Sequence, residues 1–342
     1  MIIRSLSPTD PAWFEFVRSF HEATIFHHPN WMLALAETYQ YKPLILAALD
    51  EEEQIQAGIP LLDVNSFLTG RQLLSLPFTD HCAPLSKGDD ALSALLDHLG
   101  TLNNDDRYKN IEIRWELPEH QQVSSYIHYG LFVIDLPSDT EEAFYNIQKR
   151  TRKYIKKAQR SDLTVKIGQS AELMDEFYRL QLRTRKKHGV PVQPRRLFRS
   201  INENLIQQDL GFIMLAYENG TCVAGKVVLH WQDTLTFKYG ASIAAFQSDY
   251  PNYLLTWEAI QWAVEKSYKK IDMGRCETVN TGLRRYKLKW GAEEIPLAYS
   301  TYASVPPSVS ENKLMSAMKV VIQHSPSLVC RVAGEILYKH SA

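Results

Sequence analysis

The sequence predicts an α/β protein with mixed sheets, built from two copies of one domain and followed by a helical tail. Two observations predict this fold class. In each half of the chain, two helical patterns precede an apolar strand, a polar turn and a second apolar strand. An Ala-Gly pair stands at the same place in both second strands, at Ala57-Gly58 and Ala224-Gly225, offset by 167 residues. The repeated order of elements indicates an internal duplication.

The first copy is predicted over residues 1–135. Helical patterns cover 11–23 and about 29–40, the second with Pro29 in its first turn, where proline is tolerated. The segment LILAALDEEEQIQAGIPLL follows and reads as strand, acidic turn and strand.

The second copy is predicted over residues 136–305 and carries the main basic cleft. Its helices are predicted at about 171–187 and 194–207, and the hairpin FIMLAYENGTCVAGKVVLHW turns at Asn219-Gly220. The strand TLTFKYGAS, a helix starting at Pro251 and the strand IDMG complete it. Residues 306–342 are predicted to form a tail of two short amphipathic helices, broken at 325–327.

The charge distribution differs between the two halves. Residues 1–148 hold 8 Lys and Arg against 22 Asp and Glu, whereas residues 149–342 hold 30 against 17. Within the basic half, 149–160 carries seven cations and no acid, and 177–202 carries eight and no acid. Such clusters are typical of solvated helix faces and also of surfaces that bind phosphates. These two segments and a third at 282–291, GLRRYKLKWG, favour an anionic ligand.

Several classes of protein are disfavoured by composition. The start MIIRSLSPTD lacks the pattern of a signal peptide, and no apolar run approaches the roughly 20 residues that span a bilayer. The four cysteines lie far apart, without the spacing of a zinc site or a disulfide framework. We therefore expect a cytoplasmic protein without a metal.

A family resemblance rests on motifs in both halves. The second half contains YGAS, PNYLL, WEAI, DMGR and, at 282–291, GLRRYKLKWG; the first contains FHHPNW, GIPL and SLPFTDHCAPL. In this order, over about residues 20–300, they resemble the FemAB-like group of the GNAT superfamily. The group includes aminoacyltransferases that build peptidoglycan bridges, and relatives linked to exopolysaccharide and envelope synthesis.

The resemblance implies a tandem pair of GNAT-like domains and an acyltransferase. Its bridge-forming members transfer an aminoacyl group from a charged tRNA to an amine of a pyrophosphate-linked cell-wall precursor. The implied partners are thus an anionic acyl donor and an envelope precursor. No cofactor is expected to stay bound, because the donor, aminoacyl-tRNA or acyl-CoA, is a co-substrate.

The resemblance also selects candidate site residues. The family's aromatic-Lys pair before a glycine-containing turn matches Tyr286 and Lys287. Lys287 is the candidate for stabilising the oxyanion that forms when an amine attacks an ester or thioester. The family's basic helix at the start of the second domain matches 149–168, with Arg152, Lys156 and Lys157 at its cationic positions.

Other candidates come from the residues themselves. Arg284 and Arg285 are expected to steer an anion, and Trp290 to line the site, although a basic strand edge is the simpler interpretation of the stretch. Asp272, Glu258 and Tyr239 are candidates for the base that takes the proton of the amine, and for each the alternative is a structural role.

The sequence leaves three functions open, and two of them differ in the acyl donor. Acetyl-CoA-dependent GNAT proteins place a glycine-rich turn before the main helix, and here that position reads AFQSDYPNYLL. Acetyl-CoA is therefore disfavoured, and a transferase of an aminoacyl group or of another acyl group fits better. The alternatives are an acyltransferase that uses acyl-CoA or an acyl carrier, and a non-catalytic module that binds a pyrophosphate-linked glycan.

The tail offers one further partner. Its apolar positions include Leu314, Met318 and Val332, with cations such as Lys313 and Lys319 nearby. An amphipathic helix of this kind can lie on an anionic membrane surface, at the inner face of the membrane, or pack on its own domain.

Overall fold

The computed structural model describes residues 1–105, 107–120, 123–302 and 321–340. The chain forms two compact units. Unit 1 comprises residues 1–129 with the described parts of 296–310 and 336–342; unit 2 comprises 130–295 with the described part of 311–335. The predicted domain boundaries at 135 and 305 remain predictions.

Unit 1 is a mixed sheet covered by helices. Its strands pair in the order β1-β2-β3-β4-β6-β13, and the short β5 pairs with β3. Neighbours are antiparallel except for β4 and β6, which are parallel. Its elements are β1 (Ile2–Leu6), α1 (Pro11–Arg18), α2 (Pro29–Tyr39), β2 (Lys42–Leu49), β3 (Ile55–Ser66), β4 (Gly70–Leu74), β5 (Leu85–Ser86), α3 (Asp89–Asn104), β6 (Asn110–Ile113), the first half of β7 (Ser124–Asp135) and most of β13 (Glu293–Thr301).

Unit 2 repeats this topology. Its strands pair in the order β8-β9-β10-β11-β12-β7, with β8 to β11 antiparallel and β11 parallel to β12. Its further elements are α4 (Thr140–Asn146), α5 (Lys149–Gln159), β8 (Thr164–Gly168), α6 (Ala171–His188), α7 (Arg195–Asn204), β9 (Gly211–Glu218), β10 (Thr221–Trp231), β11 (Thr234–Ser242), α8 (Pro251–Glu265), β12 (Lys270–Glu277), α9 (Thr281–Leu288) and α10 (Ser327–Leu337).

The two matched glycines have the same structural role. A Cβ at Gly58 on β3 would lie 2.6 Å from the Trp13 ring of α1, and a Cβ at Gly225 on β10 would lie 2.9 Å from the Phe177 ring of α6. In both units, the absence of a side chain lets an aromatic ring of the preceding helix pack against the strand. The duplication predicted from the Ala-Gly pairs is therefore confirmed.

Helix α8 fixes one side of the candidate site. Its predicted apolar face is buried in the core of unit 2, where Leu255, Ala259 and Ala263 pack against residues of β10 such as Val228. Pro251 occupies the first turn, where its missing N–H costs no helical hydrogen bond.

The stretch GLRRYKLKWG is helical, so its interpretation as a strand edge is wrong. The Asn280 side chain caps α9 by accepting a hydrogen bond from the Leu283 N–H. Leu, Arg and Lys are good helix formers, and α9 ends before Gly291, whose φ of +82° favours glycine. The helical spacing gives the four cations different directions.

The second predicted tail helix is present as α10. Its Cys330 is fully buried, and a Cβ at Gly334 would overlap the Val192 carbonyl, so this face packs closely against unit 2. Leu328 and Val332 are exposed. Of the first predicted tail helix, Lys313, Leu314, Met318 and Lys319 lie outside the described residues, and residues 321–324 are helical. Among the described helices, none combines the length and apolar character needed to cross a membrane.

Candidate active site

A cavity of about 450 Å³ opens in unit 2 where two parallel strands diverge. Residues Thr234–Thr236 of β11 pair with Lys270–Asp272 of β12, and the residues that follow on both strands line the cavity. Helices α6, α8 and α9 close its other sides. The lining residues are Thr184, His188, Lys226, Phe237, Tyr239, Gly240, Ala241, Ser242, Asn252, Met273, Leu283, Tyr286 and Lys287.

A local turn diverts β12 at the cavity. Gly274 has a φ of +77°, and its N–H donates a 2.6 Å hydrogen bond to Oδ1 of Asp272. Asp272 is buried and is not among the lining residues. Glu258, on α8, does not line the cavity either, and burial raises the pKa of its carboxyl. Their assignment as bases remains a prediction.

Lys287 is fixed at the diverging end of β12. Its side chain is 5% exposed, and its Nζ donates hydrogen bonds to the carbonyls of Gly274 (2.7 Å) and Arg275 (2.9 Å). The Phe132 ring lies 5.0 Å from the same nitrogen. Carbonyl dipoles stabilise the charged form of an amine, so the ammonium group of Lys287 is fixed in position at the cavity.

Two of the predicted aromatic residues join Lys287 in the cavity. Tyr286 and Tyr239 both line it, and the Tyr286 hydroxyl lies 3.2 Å from Oγ1 of Thr256. Burial raises the pKa of the Tyr286 phenol to about 12, so it keeps its proton at neutral pH. Trp290 is buried behind them, with its ring centroid 5.7 Å from that of Tyr253, and does not line the cavity.

Neither of the two arginines of α9 lines the cavity. Arg284 forms a bidentate ion pair with Glu294, with both N–O distances at 2.9 Å, which neutralises it. Arg285 is exposed, and its Nε donates to the Thr281 carbonyl at 3.3 Å. The predicted steering of an anion by these residues is not tested by their placement.

The cations of α5 lie on a separate basic face. Arg152 stacks on Tyr145, with 5.1 Å from Cζ to the ring centroid, and Lys156 lies 5.5 Å from the Phe144 ring. Lys157 donates a 3.1 Å hydrogen bond to the Ser248 carbonyl. Among the described residues, these three cations form no ion pair with a carboxylate, and none of them lines the cavity.

Lys226 is a cavity residue that is not among those predicted from the sequence. It lies on β10, is 8% exposed, and its Nζ lies 4.4 Å from the Phe237 ring centroid. Burial, and secondly the nearby charge of Lys287, lower the pKa of Lys226 to about 8. A signal existed: Lys226 is the one cation in the hairpin sequence FIMLAYENGTCVAGKVVLHW, and the 167-residue offset matches it to Ile59.

A larger depression, of about 530 Å³, is also present in unit 2. It is lined by other residues, among them His230, Trp262 and Tyr268, and by none of the predicted site residues. Because the smaller cavity is the one lined by predicted site residues, Tyr239, Tyr286 and Lys287, we regard it as the candidate active site.

Comparison with known proteins agrees with this location. Residues 146–288 match the family described as Acetyltransferase (GNAT) domain. These residues include β8 to β12 and α9, and thus every strand and helix that lines the cavity.

One protein is similar to this chain in sequence, and two are similar to it in structure. The UDP-N-acetylmuramoylpentapeptide-lysine N(6)-alanyltransferase of Weissella viridescens is 25% identical over 140 residues, an alignment that spans 41% of each chain. The crystal structure of FemX is similar with a TM-score of 0.67 and 13% identity, covering 93% of this chain and 100% of that one. The C-terminal domain of an Agrobacterium fabrum protein titled putative lysylphosphatidylglycerol synthetase has a TM-score of 0.58 and 10% identity, covering 94% and 95%.

The fold, the cavity between diverging strands and the family match identify residues 146–288 as a GNAT acetyltransferase domain. Beyond this domain, the chain is similar in sequence to the Weissella viridescens alanyltransferase and in fold to FemX.

Proposed function

We propose that the protein transfers an acyl or aminoacyl group to an amine of a cell-envelope precursor, a peptidoglycan or exopolysaccharide intermediate. The observation that carries this proposal is the buried ammonium of Lys287, held by two carbonyls at the cavity of the GNAT-matched domain. The similarity to an alanyltransferase that acts on a lysine of a muramoyl pentapeptide supports the acceptor class.

The chemistry follows from where charge develops. The acceptor nitrogen attacks the donor carbonyl, a C–N bond forms, and negative charge collects on the carbonyl oxygen. The bond to the leaving oxygen or sulfur then breaks, and that atom leaves with the proton that the amine loses. A fixed cation beside that oxygen stabilises the transition state more than the ground state. Lys287 supplies the cation in this proposal, and the protonated Tyr286 hydroxyl is available as a neutral donor beside it. No covalent enzyme intermediate is required, because positioning two substrates lowers the barrier by itself.

The donor of the proposed reaction is an aminoacyl-tRNA, with acyl-CoA or an acyl carrier as the alternative. The unpaired cations of α5 support a long polyanionic donor, because a tRNA offers more phosphates than the cavity can contact. The absence of glycine before α8, at 244–251, also disfavours the pyrophosphate of CoA.

A panel of donors tests this function. The full chain is incubated with a lysine-containing UDP-N-acetylmuramoyl pentapeptide and, separately, alanyl-tRNA, acetyl-CoA or an acylated carrier protein, and products are analysed by mass spectrometry. We expect an acylated amine with alanyl-tRNA. Precursor binding without product from any donor would support the non-catalytic module, and product with acetyl-CoA alone would exclude the tRNA donor.

The α5 face makes a separate prediction about the donor. Affinity for the donor is expected to fall with salt, and replacing Arg152, Lys156 and Lys157 together by alanine is expected to make this fall less steep. The slope of log affinity against log salt should become smaller in magnitude by about 2 to 3, since each lost phosphate contact removes about 0.7 to 0.9 from that slope. The measurement is the affinity for alanyl-tRNA across a salt series. Lys270→Ala, which removes an exposed cation from the same unit, is the matched control. An unchanged slope in the triple variant would remove α5 from the donor site.

The tail is proposed to bring the protein to lipid-linked substrate at the inner membrane face. The exposed Leu328 and Val332 of α10 support this proposal. Co-sedimentation of the full chain with anionic vesicles, compared with a Leu328→Ser/Val332→Ser variant, distinguishes it from a tail that only packs on unit 2.

A further inference from the structure

Lys226 has a charge that the protein does not balance. Its side chain is 8% exposed, and no hydrogen bond or ion pair joins its ammonium to any described residue. Within the described parts of the chain, its ammonium lies over one aromatic ring, that of Phe237, at 4.4 Å. Burial of an unpaired ammonium is costly, and proteins normally compensate it with a carboxylate or with a ligand.

The cavity around Lys226 contains positive charge and no compensating acid. The described residues that line it include Lys226 and Lys287 and no Asp or Glu. The polar neutral groups are engaged with the protein: Asn252 donates to the Ser242 hydroxyl at 3.0 Å, and Thr184 donates to the Leu180 carbonyl at 3.1 Å. Apolar walls reduce the screening of both charges. The cavity therefore attracts an anion.

We propose that this cavity is an oxyanion-binding subsite in which Lys226 holds a phosphate or carboxylate group of a substrate beside Lys287. This proposal adds to the proposed function the class of ligand that the site binds. It rests on the proposed function only in calling that ligand a substrate. Binding of an anion is measured without donor, acceptor or turnover, so either proposal can fail without the other.

The subsite couples anion binding to proton uptake. Because burial and Lys287 lower the pKa of Lys226 to about 8, the empty site loses its proton as the pH rises through 8. A bound anion stabilises the ammonium and raises that pKa, so affinity falls with rising pH. The other titratable groups that line the cavity are Lys287 and Tyr286 from α9, Tyr239 from β11 and the exposed His188 at the end of α6, whereas β12 and α8 contribute the uncharged Met273 and Asn252.

Calorimetric titration of the full chain with sulfate and with acetate tests the subsite. Both anions keep their charge between pH 7 and 9; sulfate has the shape of a phosphate group, and acetate represents a carboxylate. We expect saturable binding of at least one of them, and the preferred anion identifies the substrate group. Affinity is expected to fall about tenfold from pH 7 to pH 9, as the protonated fraction of Lys226 falls.

Three variants decide the assignment. Lys226→Met is expected to weaken binding about tenfold or more and to abolish the pH dependence. Lys226→Arg keeps a charge that does not titrate, so binding is expected to persist and to become independent of pH. Lys166→Met is the control, because Lys166 also lies over an aromatic ring, Tyr217 at 4.9 Å, but is exposed on β8 and outside the cavity.

Other outcomes would overturn the proposal. If wild-type protein binds neither anion, the subsite does not exist. If Lys226→Met binds like wild type, the anion lies elsewhere. If Lys226→Arg retains the wild-type pH dependence, another group, with His188 first among the lining residues, takes up the proton.

Discussion

Replacing Lys287 by alanine is expected to lower kcat/KM of the transfer reaction about 10²- to 10³-fold. Removing one preorganised donor from a developing oxyanion typically costs about 3 to 4 kcal/mol of transition-state stabilisation. The loss should fall mainly on kcat, because the charge that Lys287 meets exists in the transition state and not in the bound substrates. Single-turnover measurement with saturating donor and acceptor isolates this step.

Lys287 also has a structural contact that must be separated from catalysis. Its Nζ holds the carbonyls of Gly274 and Arg275, so its removal leaves two carbonyls without this donor. Small alkylamines added to Lys287→Ala distinguish the roles, since an amine that enters the vacated space restores turnover if the ammonium acts on the substrate. Lys289→Ala, at the end of the same helix, is the control. If Lys287→Ala loses thermal stability and added amines do not restore turnover, Lys287 has only a structural role, which is to hold β12.

Replacing Lys226 by methionine is expected to stabilise the protein by about 3 kcal/mol at neutral pH. The pKa of this lysine falls from 10.5 to about 8 on folding, and each unit corresponds to about 1.4 kcal/mol. Methionine fills a similar volume without a charge to desolvate. Thermal unfolding at pH 7 measures the gain, which corresponds to an increase in Tm of roughly 5 to 10 °C for a unit of this size.

The sign of the pH dependence follows from linkage. Below pH 8, folded and unfolded chains both carry the charged lysine, and the full penalty applies. Between pH 8 and 10.5 the unfolded chain binds more protons, so wild-type stability rises with pH and the advantage of Lys226→Met shrinks. A variant that is less stable than wild type at pH 7, or an advantage that grows with pH, would contradict the unpaired state of Lys226.

The fold was predictable because local patterns repeat. Hydrophobic periodicity locates the helices and strands, and the matched Gly58 and Gly225 show the duplication because each lies under an aromatic ring. Helix α9 was harder to predict, since alternating aromatics and cations in a short stretch fit a strand as well as a helix. Its cap at Asn280 was the available signal.

The candidate site was predictable only in part. Family resemblance selected Tyr286 and Lys287, and both line the cavity. It could not show that Arg284 is neutralised by Glu294, ten residues later, because ion pairing depends on the side-chain geometry. Lys226 was not predicted, because a single cation in an apolar strand is expected at an exposed strand edge. Its burial is visible only in the structure.

The strand order of unit 1 also has a consequence for biosynthesis. Strand β6 pairs with β13, through Ile113 and Ser300, and Tyr299 of β13 donates a hydrogen bond to the Asp80 carbonyl. The partner of β6 therefore leaves the ribosome about 190 residues after β6 itself. Until then β6 presents an unpaired edge that invites pairing with other nascent chains, so the sheet of unit 1, although synthesised first, is completed only after residue 301 has been made.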